Sequence, residues 1–357
     1  MSAARRAAVV GTGLIGGSIG LALRARGWHV TGADRDEARA ARALELGALD
    51  AVGADPAAEI TFVATPVQAV PEAVRAVLEA NPTGVVTDVG SVKGSIVEAI
   101  GSPRFLGGHP MAGSEQEGVD GADPDLFHGA VWVLTPTATT PDEVLRQVGR
   151  TVRDLGADVV ALDPAHHDEL VAVVSHVPHL TAASLMRLAD AAATEHRALL
   201  RLAAGGFRDM TRIAAGHPGI WPDICAENRD AIVEVLDGLV AALSEIRDVV
   251  ARSDRPALLE ILERSRAARL NLPSRAVRPE VLAEVRVPVP DRTGVLAEVV
   301  TMAGHLDVNI ADVEIAHSAE GDQGVVILLV EADAAERLRA GLAEAGYRPS
   351  VHPLEKS

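Results

Sequence analysis

The sequence predicts three successive units: an α/β domain with a parallel sheet, an all-helical domain, and a small α+β domain. Short β-branched runs alternate with amphipathic stretches in the first part of the chain, which is typical of βαβ units. Apolar residues then recur at helical spacing, and strand-like alternation returns near the C-terminus. These changes place the domains at residues 1–163, 164–272 and 283–357, with a proline-containing linker at residues 273–282.

The strands of the first domain are short, apolar and rich in β-branched residues. In chain order the predicted strands cover residues 7–10, 29–32, 60–64, 85–88, 131–134 and 157–161. Amphipathic segments of helical length separate the early strands, and such crossovers join parallel neighbours. We therefore expect a parallel sheet.

Amphipathic helices are predicted for the second domain, where Leu170, Val173 and Val174, and later Ile232 and Val235, keep helical spacing. The predicted elements of the third domain are strands at residues 284–287, 312–317, 324–331 and 348–352, with helices at residues 294–306 and 334–345. Their βαββαβ order predicts a two-layer α+β module.

Composition and charge narrow the possible partners and the location. The 357 residues include 33 Lys plus Arg against 50 Asp plus Glu, for a formal net charge of -17. An acidic surface repels nucleic acid and anionic membranes, so neither is a predicted partner. The single cysteine, Cys225, excludes a disulfide framework and favours a reducing compartment. Because the sequence shows no signal peptide and no long apolar run, we predict a cytoplasmic protein.

A glycine-rich turn follows the first predicted strand and opens a helix. Gly11 permits the turn, Gly13 leaves room for a pyrophosphate, and Gly16 lets the helix pack closely on the strand. The second strand ends at Asp34, whose carboxylate suits the ribose hydroxyls of NAD, although Arg35 keeps NADP as an alternative. A Rossmann-type dinucleotide-binding domain is therefore predicted. The predicted NAD-binding residues are Gly11, Gly13, Leu14, Ile15, Gly16, Asp34, Arg35, Thr65 and Ser91.

Two further clusters lie in the first domain. Ser91 and Lys93 follow the predicted strand at residues 85–88, at the end of a parallel strand where ligands bind. Lys93 is expected to anchor the start of a helix. His109 lies in a predicted glycine-rich loop, and its imidazole is suited to accept a proton near neutral pH.

Imidazole and guanidinium pairs predict an anion site in the helical domain. His176 and His179 are three residues apart and share a helix face, and Arg208 and Arg212 are four apart. Paired guanidinium groups in an acidic chain suit a small dicarboxylate. No metal site is predicted, because the histidine groupings, including residues 166–168, lack a HExxH pattern or a cysteine partner.

Five ordered motifs carry a family resemblance. They are GTGLIGGS at residues 11–18, DVGSVKG at 88–94, GGHPMAGSE at 107–115, SHVPH at 175–179 and GGFRDMTRIA at 205–214, followed by Trp221. Together they resemble the prephenate/arogenate dehydrogenase family over nearly the whole chain, and residues 289–296 resemble an ACT regulatory domain. The resemblance implies oxidative decarboxylation: NAD accepts hydride from the ring carbon that bears the hydroxyl, and loss of the ring carboxylate as carbon dioxide makes the ring aromatic.

The resemblance also implies roles for the candidate residues. His109 would accept the ring hydroxyl proton, and Ser91 would hydrogen-bond His109 or that hydroxyl. Arg212 would hold a substrate carboxylate, with His179 as a second contact. The other implied substrate-binding residues are His176 as an orienting neighbour, Arg208 and Glu115 as a charged gate, and Trp221 as part of the pocket.

Prephenate is the predicted substrate and 4-hydroxyphenylpyruvate the product, as in tyrosine biosynthesis. Arogenate, or both compounds, remains an alternative. A 3-hydroxyacid dehydrogenase is disfavoured because no lysine lies between Lys93 and Lys356. A non-catalytic amino-acid sensor, a protein of a different class, would use only the ACT-like tail.

Two expectations concern assembly and control. The apolar faces of the helical domain are too extensive to be buried within one chain, so we expect a homodimer through this domain. The ACT-like tail is expected to bind tyrosine as a feedback effector. The predicted effector-binding residues are Asp291, Gly294, Asn309 and Ile310.

Overall fold

The structure, a computed structural model, describes residues 4–114, 116, 118–195, 199–271, 282–290, 292–317 and 323–353. The chain divides into two compact units, Met1–Ser244 and Glu245–Ser357.

Among the described residues, an eight-stranded sheet forms the N-terminal part of the first unit. Its strands are β1 (Arg6–Val10), β2 (His29–Ala33), β3 (Ala51–Val52), β4 (Ile60–Val63), β5 (Val85–Asp88), β6 (Phe105–Pro110), β7 (Val131–Thr135) and β8 (Asp158–Ala161). They lie in the order β3-β2-β1-β4-β5-β6-β7-β8, and neighbours are parallel except for β6 and β7. The strand order reverses between β1 and β4, where open α/β sheets bind ligands.

Helices that pack against this sheet complete a layered α/β domain. They are α1 (Leu14–Ala25), α2 (Glu37–Glu45), α3 (Val70–Ala80), α4 (Gly94–Ile100) and α5 (Asp142–Asp154). Val9, Ile19, Phe62 and Trp132 are fully buried in the main core. The predicted Rossmann-type fold of this part of the chain is confirmed.

The prediction that His109 lies in a loop is wrong, because the structure places it in β6. A Cβ at Gly107 would lie 2.4 Å from Thr135 Oγ1, and one at Gly108 would lie 2.7 Å from the Asp88 backbone oxygen. These glycines therefore allow β6 to approach its neighbours closely, a use of glycine that a sequence rule for turns does not detect. The strand β3 was not expected either, because two residues are too few to carry an alternating pattern.

Helices follow the sheet. They are α6 (Pro164–Val171), α7 (Val177–Glu195), α8 (Gly205–Thr211), α9 (Trp221–Glu227), α10 (Arg229–Ala251) and α11 (Arg255–Leu270). A π-helical turn, Ala172–His176, joins α6 to α7, and a 3-10 turn, Arg212–Ala215, follows α8. Ala172, Val177 and Ile232 form a small buried core. The prediction of a helical domain is confirmed.

The helical stretch Pro164–Ala193 is long and apolar enough to cross a membrane by length and composition alone, with a mean hydropathy of 1.2 in its most apolar window. It also carries the buried polar residues His167, Asp168 and His176. All three form hydrogen bonds to other parts of the first unit. These contacts are those of a helix that packs within a protein.

The second unit contains, among its described residues, a four-stranded antiparallel sheet. The elements of this module are β9 (Leu282–Pro290), α12 (Val295–His305), β10 (Ile310–His317), β11 (Gln323–Glu331), α13 (Ala332–Glu344) and β12 (Ser350–Pro353). The strand order is β10-β11-β9-β12. Val285, Val299 and Leu338 are fully buried in its core. The element order is the βαββαβ order expected from the sequence.

Candidate active site

The candidate residues of the first unit lie at the carboxyl ends of its central strands. The glycine-rich turn follows β1, Asp34 follows β2, Thr65 lies just beyond β4, Ser91 lies just beyond β5, and His109 is the penultimate residue of β6. Because β1, β2, β4, β5 and β6 run parallel, these ends lie along one edge of the sheet. The topology thus brings the predicted NAD-binding residues and His109 to the same edge.

A cleft of about 740 Å³ lies at this edge. Its lining residues include Gly11, Gly13, Asp34, Arg35 and Thr65. Gly11 has φ of +93°, and a Cβ there would lie 2.4 Å from the Ala64 backbone oxygen. A Cβ at Gly16 would lie 1.9 Å from the Gly11 oxygen, whereas no described atom lies within 4 Å of a Cβ built at Gly13. Gly11 and Gly16 therefore shape the turn, and Gly13 leaves open space for a pyrophosphate.

The first turn of α1 faces the same space. Gly13 is its N-cap, and no side chain caps it within the described chain. The backbone N–H groups of Leu14 and Ile15 therefore remain available to an anion, which the helix dipole also favours. The exposed Arg35 side chain lies at the rim of the cleft.

Asp34 and Thr65 supply the polar groups that a dinucleotide needs. Asp34 Oδ2 accepts a hydrogen bond from the Thr12 N–H at 2.8 Å, and Asp34 Oδ1 accepts one from the Asp36 N–H at 3.0 Å. The carboxylate is thereby held at the cleft wall. Thr65 Oγ1 is buried and has no hydrogen-bond partner in the described part of the chain, so a ligand in the cleft can provide one. The residues present therefore fit NAD.

A chain of buried hydrogen bonds begins at His109. His109 Nδ1 lies 2.9 Å from His167 Nε2, and His167 Nδ1 lies 2.8 Å from Asp168 Oδ1. The Asp168 carboxylate also accepts hydrogen bonds from the backbone N–H groups of Lys93 at 2.8 Å and Gly94 at 2.7 Å. His167 and Asp168 belong to α6, so these hydrogen bonds link the helical domain to the strand that carries His109. No role was predicted for these two residues from the sequence.

Lys93 forms a fully buried ion pair with Asp88. Lys93 Nζ also donates to the Gly108 backbone oxygen at 2.9 Å, and Asp88 Oδ1 accepts from the Gly108 N–H at 3.1 Å. The pair therefore holds both backbone groups of the residue that precedes His109. The sequence predicts only that Lys93 anchors α4; the buried pairing of its ammonium group is visible only in the structure.

Burial lowers the pKa of His109 well below its usual range, and the neighbouring His167, Lys93 and His176 act in the same direction. The imidazole is therefore neutral at physiological pH. A neutral imidazole is the form that accepts a proton.

Asn228 determines the protonation pattern of His176. Asn228 Nδ2 donates to the Asp168 backbone oxygen at 2.8 Å and lies 3.2 Å from His176 Nδ1. Burial lowers the pKa of His176 to about 4, so the ring is neutral and carries its proton on Nε2. His176 Nε2 is buried and has no hydrogen-bond partner among the described residues. An unpaired buried donor costs about 1–3 kcal/mol, so this atom is suited to donate to a ligand. No pattern in the sequence indicates Asn228.

Trp221 packs against His179, which lies in α7, and against His176, which lies in the turn that precedes α7. Its ring stacks on His179, with centroids 3.6 Å apart and planes at 12°, and meets His176 edge-on at 6.2 Å. The Trp221 ring, which is distant in sequence from both histidines, thus forms one cluster with them.

Comparison with known proteins matches both domains. Residues 19–161 match the family model described as prephenate dehydrogenase, nucleotide-binding domain, and residues 163–264 match prephenate dehydrogenase, dimerization domain. Prephenate dehydrogenase from Bacillus subtilis is 32% identical over 344 residues, which cover 91% of this chain and 92% of that protein. This chain belongs to the prephenate dehydrogenase family. It is accordingly an NAD-dependent oxidoreductase.

Two solved structures of related enzymes are similar to this family member. Prephenate dehydrogenase from A. aeolicus, in complex with hydroxyphenyl propionate and NAD+, has a TM-score of 0.71 and 31% identity, and covers 75% of this chain and 98% of its own. Arogenate dehydrogenase from Synechocystis has a TM-score of 0.66 and 33% identity, with coverages of 74% and 98%. About a quarter of this chain is therefore additional to those two structures.

The structure also places most of the other residues that were expected to bind the substrate. Ser91 is half-buried, and in the described part of the chain His109 Nδ1 bonds to His167 and not to Ser91. Arg208 and Arg212 are exposed in the single chain. The Arg212 turn lies close to α7, because a Cβ at Gly216 would lie 3.8 Å from His179 Cε1. Glu115 lies outside the described residues.

The expected effector residues that the structure describes, Gly294, Asn309 and Ile310, lie on either side of α12. Gly294 precedes α12, whereas Asn309 and Ile310 follow it. An 11-residue helix separates the two positions by about 16 Å. Asp291 lies outside the described residues.

Proposed function

We propose that this protein oxidises prephenate with NAD to 4-hydroxyphenylpyruvate and carbon dioxide. The observation that carries the proposal is His109, a neutral, buried imidazole at the same sheet edge as the NAD cleft. The A. aeolicus relative supports it, because the ligand in that structure carries a hydroxyphenyl group, the ring system of the proposed product.

His109 Nε2 accepts the proton of the ring hydroxyl. NAD, when bound, supplies the acceptor for the hydride that leaves the same ring carbon. The carbon–carboxylate bond then breaks and carbon dioxide leaves; the electron pair of that bond makes the ring aromatic, and the ring oxygen takes a proton back from His109. Ser91 hydrogen-bonds the hydroxyl, and the unpaired Nε2–H of His176 donates to a substrate oxygen. The side chains of Arg212 and His179 hold a substrate carboxylate, Trp221 borders the pocket, and Arg208 and Glu115 form its charged gate.

The proposal is tested by initial-rate assays of the full chain with prephenate and with arogenate, each with NAD and with NADP. We expect NADH formation with prephenate, and little activity with NADP because Asp34 repels a 2′-phosphate. Arogenate is the second candidate, since the Synechocystis relative at 33% identity is an arogenate dehydrogenase. Absence of activity with both substrates would contradict the proposal.

Arg212→Ala is expected to raise KM for prephenate by roughly 30-fold and to change kcat by less than about threefold, because a charge pair made equally in the ground and transition states is lost. Steady-state kinetics measure both constants. Arg229→Ala, which removes an exposed arginine paired with Asp230, is the matched control. An unchanged KM in the Arg212 variant would remove Arg212 from the substrate site.

The active form is a cytoplasmic homodimer joined through the helical domain. The match to the family's dimerization domain supports the dimer. Large apolar side chains of that domain also remain exposed in the single chain, with Val174 at 65% and Leu188 at 71%. Such exposure of apolar surface is typical of a face that is buried by association.

The C-terminal module is an ACT-like domain that binds tyrosine as an effector. Its βαββαβ order supports the assignment. The module also carries a groove of about 1180 Å³, lined in part by Arg292, Glu298 and Tyr347, but the expected effector residues that the structure describes do not line that groove. Gly294, Asn309, Ile310 and Asp291 meet a ligand between modules of two chains. Tyrosine added to the same assays should inhibit even at saturating prephenate; inhibition that prephenate fully relieves would instead indicate competition at the active site.

A further inference from the structure

Two buried side chains behind His109 have no part in the proposed chemistry. His167 is fully buried and Asp168 is 8% exposed, although an aspartate side chain usually lies at the surface. The His167 ring meets the His109 ring edge-on, with centroids 5.1 Å apart. His167 is therefore held in contact with the proton acceptor, and Asp168 holds His167 from the other side of its ring.

Asp168 sets the direction of the two hydrogen bonds that connect it through His167 to His109. Its two carboxylate oxygens accept from the backbone N–H groups of Lys93 and Gly94, which can only donate, so neither oxygen is placed to donate to His167. His167 therefore donates from Nδ1 to Asp168 and presents an unprotonated Nε2 to His109. His109 must then donate from Nδ1, which leaves its own Nε2 without a proton.

We propose that His167 and Asp168 are positioning residues that hold His109 in the Nδ1–H tautomer, so that its Nε2 accepts the substrate hydroxyl proton. The proposal rests on the proposed role of His109. A neutral imidazole can carry its proton on either nitrogen, and only one of the two tautomers leaves Nε2 able to accept. When His109 gains the second proton, its Nδ1–H still points to His167, whose own N–H points to the Asp168 anion.

The other charged or titratable groups near His109 do not provide this orientation. Lys93 is cationic but is neutralised by its buried pair with Asp88. His176 is neutral and bonds to Asn228. Asp168 is therefore the anion whose hydrogen bonds reach His109.

Kinetics of the full-length enzyme test the proposal first. His167→Leu and Asp168→Asn are expected to lower kcat for prephenate by about 100-fold or more, with KM for prephenate and NAD changed by less than about threefold. His167→Gln should recover to within about tenfold of wild type, because its amide oxygen can accept from His109 Nδ1. The matched controls are His166→Leu and Glu169→Gln, which alter an exposed pair on the same helix and should keep the wild-type kcat.

Nitrogen-15 NMR of histidine-labelled enzyme provides a measurement that a purely structural role would not change. The chain has 12 histidines, and the His109 signals are identified by their loss in His109→Asn. In wild type we expect Nδ1 to be protonated and Nε2 unprotonated. In Asp168→Asn one of the two oxygens that face backbone N–H groups becomes an amide nitrogen that can donate, so the preference for this tautomer should weaken and part of the His109 proton should appear on Nε2.

A wild-type spectrum with the His109 proton on Nε2 would overturn the proposal, as would a folded His167→Leu variant with wild-type kcat. If His167→Leu or Asp168→Asn does not fold, the wild-type spectrum and the His167→Gln kinetics still decide. The spectrum requires no substrate, so the tautomer can be established even if prephenate proves not to be the substrate.

Discussion

Replacement of His109 by asparagine should lower kcat for prephenate by about 10³-fold and leave KM within about threefold of wild type. Asparagine is short and uncharged and has no nitrogen that accepts a proton, so the hydroxyl proton must leave to water while the binding residues stay in place. Steady-state kinetics of the purified variant measure the two constants. His166→Asn, which changes an exposed histidine on α6, is the control and should retain wild-type kinetics.

The pH dependence of kcat/KM follows from the lowered pKa of His109. In the proposed mechanism the neutral ring accepts the proton, and a protonated ring would be inactive. Because burial lowers the pKa, activity should persist below pH 6.5, the usual histidine value, and fall about tenfold per pH unit only at still lower pH. The acidic decline should disappear from the residual activity of His109→Asn. An acidic decline centred above pH 7 in wild type, or one retained in the variant, would assign the titration to another group.

Lys93→Met should destabilise the first domain by about 3–5 kcal/mol, because it leaves the buried Asp88 carboxylate without its counter-charge. For a domain of this size the corresponding decrease in Tm is roughly 10 °C, measured by differential scanning calorimetry. The shape of methionine is close to that of lysine, so the loss reflects charge more than packing.

A double variant separates the charge effect from the loss of contacts. In the double variant Lys93→Met/Asp88→Asn, both charges of the pair are removed. The asparagine oxygen can still accept from the Gly108 N–H, so about half of the lost stability should return. Arg146→Met, which breaks an exposed ion pair on α5, should change Tm by less than about 1 °C. If Lys93→Met is as stable as Arg146→Met, the buried pair does not stabilise the domain.

The sequence predicted the nucleotide-binding half well because its signals are local. The glycines of the β1–α1 turn, the carboxylate at the end of β2 and the β-branched runs each report on backbone conformation within a few residues. The strand β6 was not predicted for the same reason, because Gly107 and Gly108 are turn formers when only their neighbours in sequence are considered. Their role in β6 depends on Thr135 and Asp88, which approach from neighbouring strands.

The surroundings of His109 show where local signals end. Its imidazole could be selected from a motif, but its neutral state depends on burial, and its hydrogen-bond partner His167 lies 58 residues away. Asn228 lies 52 residues from His176. Side chains of such separation meet only when the helical domain packs against the sheet, and no periodic pattern encodes their contact.

The sequence by itself determined that a nucleotide-binding domain precedes a helical domain, the glycine-rich turn after β1 and the choice of His109 as the proposed proton acceptor, because each depends on neighbouring residues or on an ordered set of motifs. Only the tertiary structure decided that His109 stands on a strand, that Lys93 is paired with Asp88, and that Asp168 and His167 lie behind the acceptor. These features arise from burial and long-range packing, which fix charge and proton position by excluding water and bringing distant groups within hydrogen-bond distance.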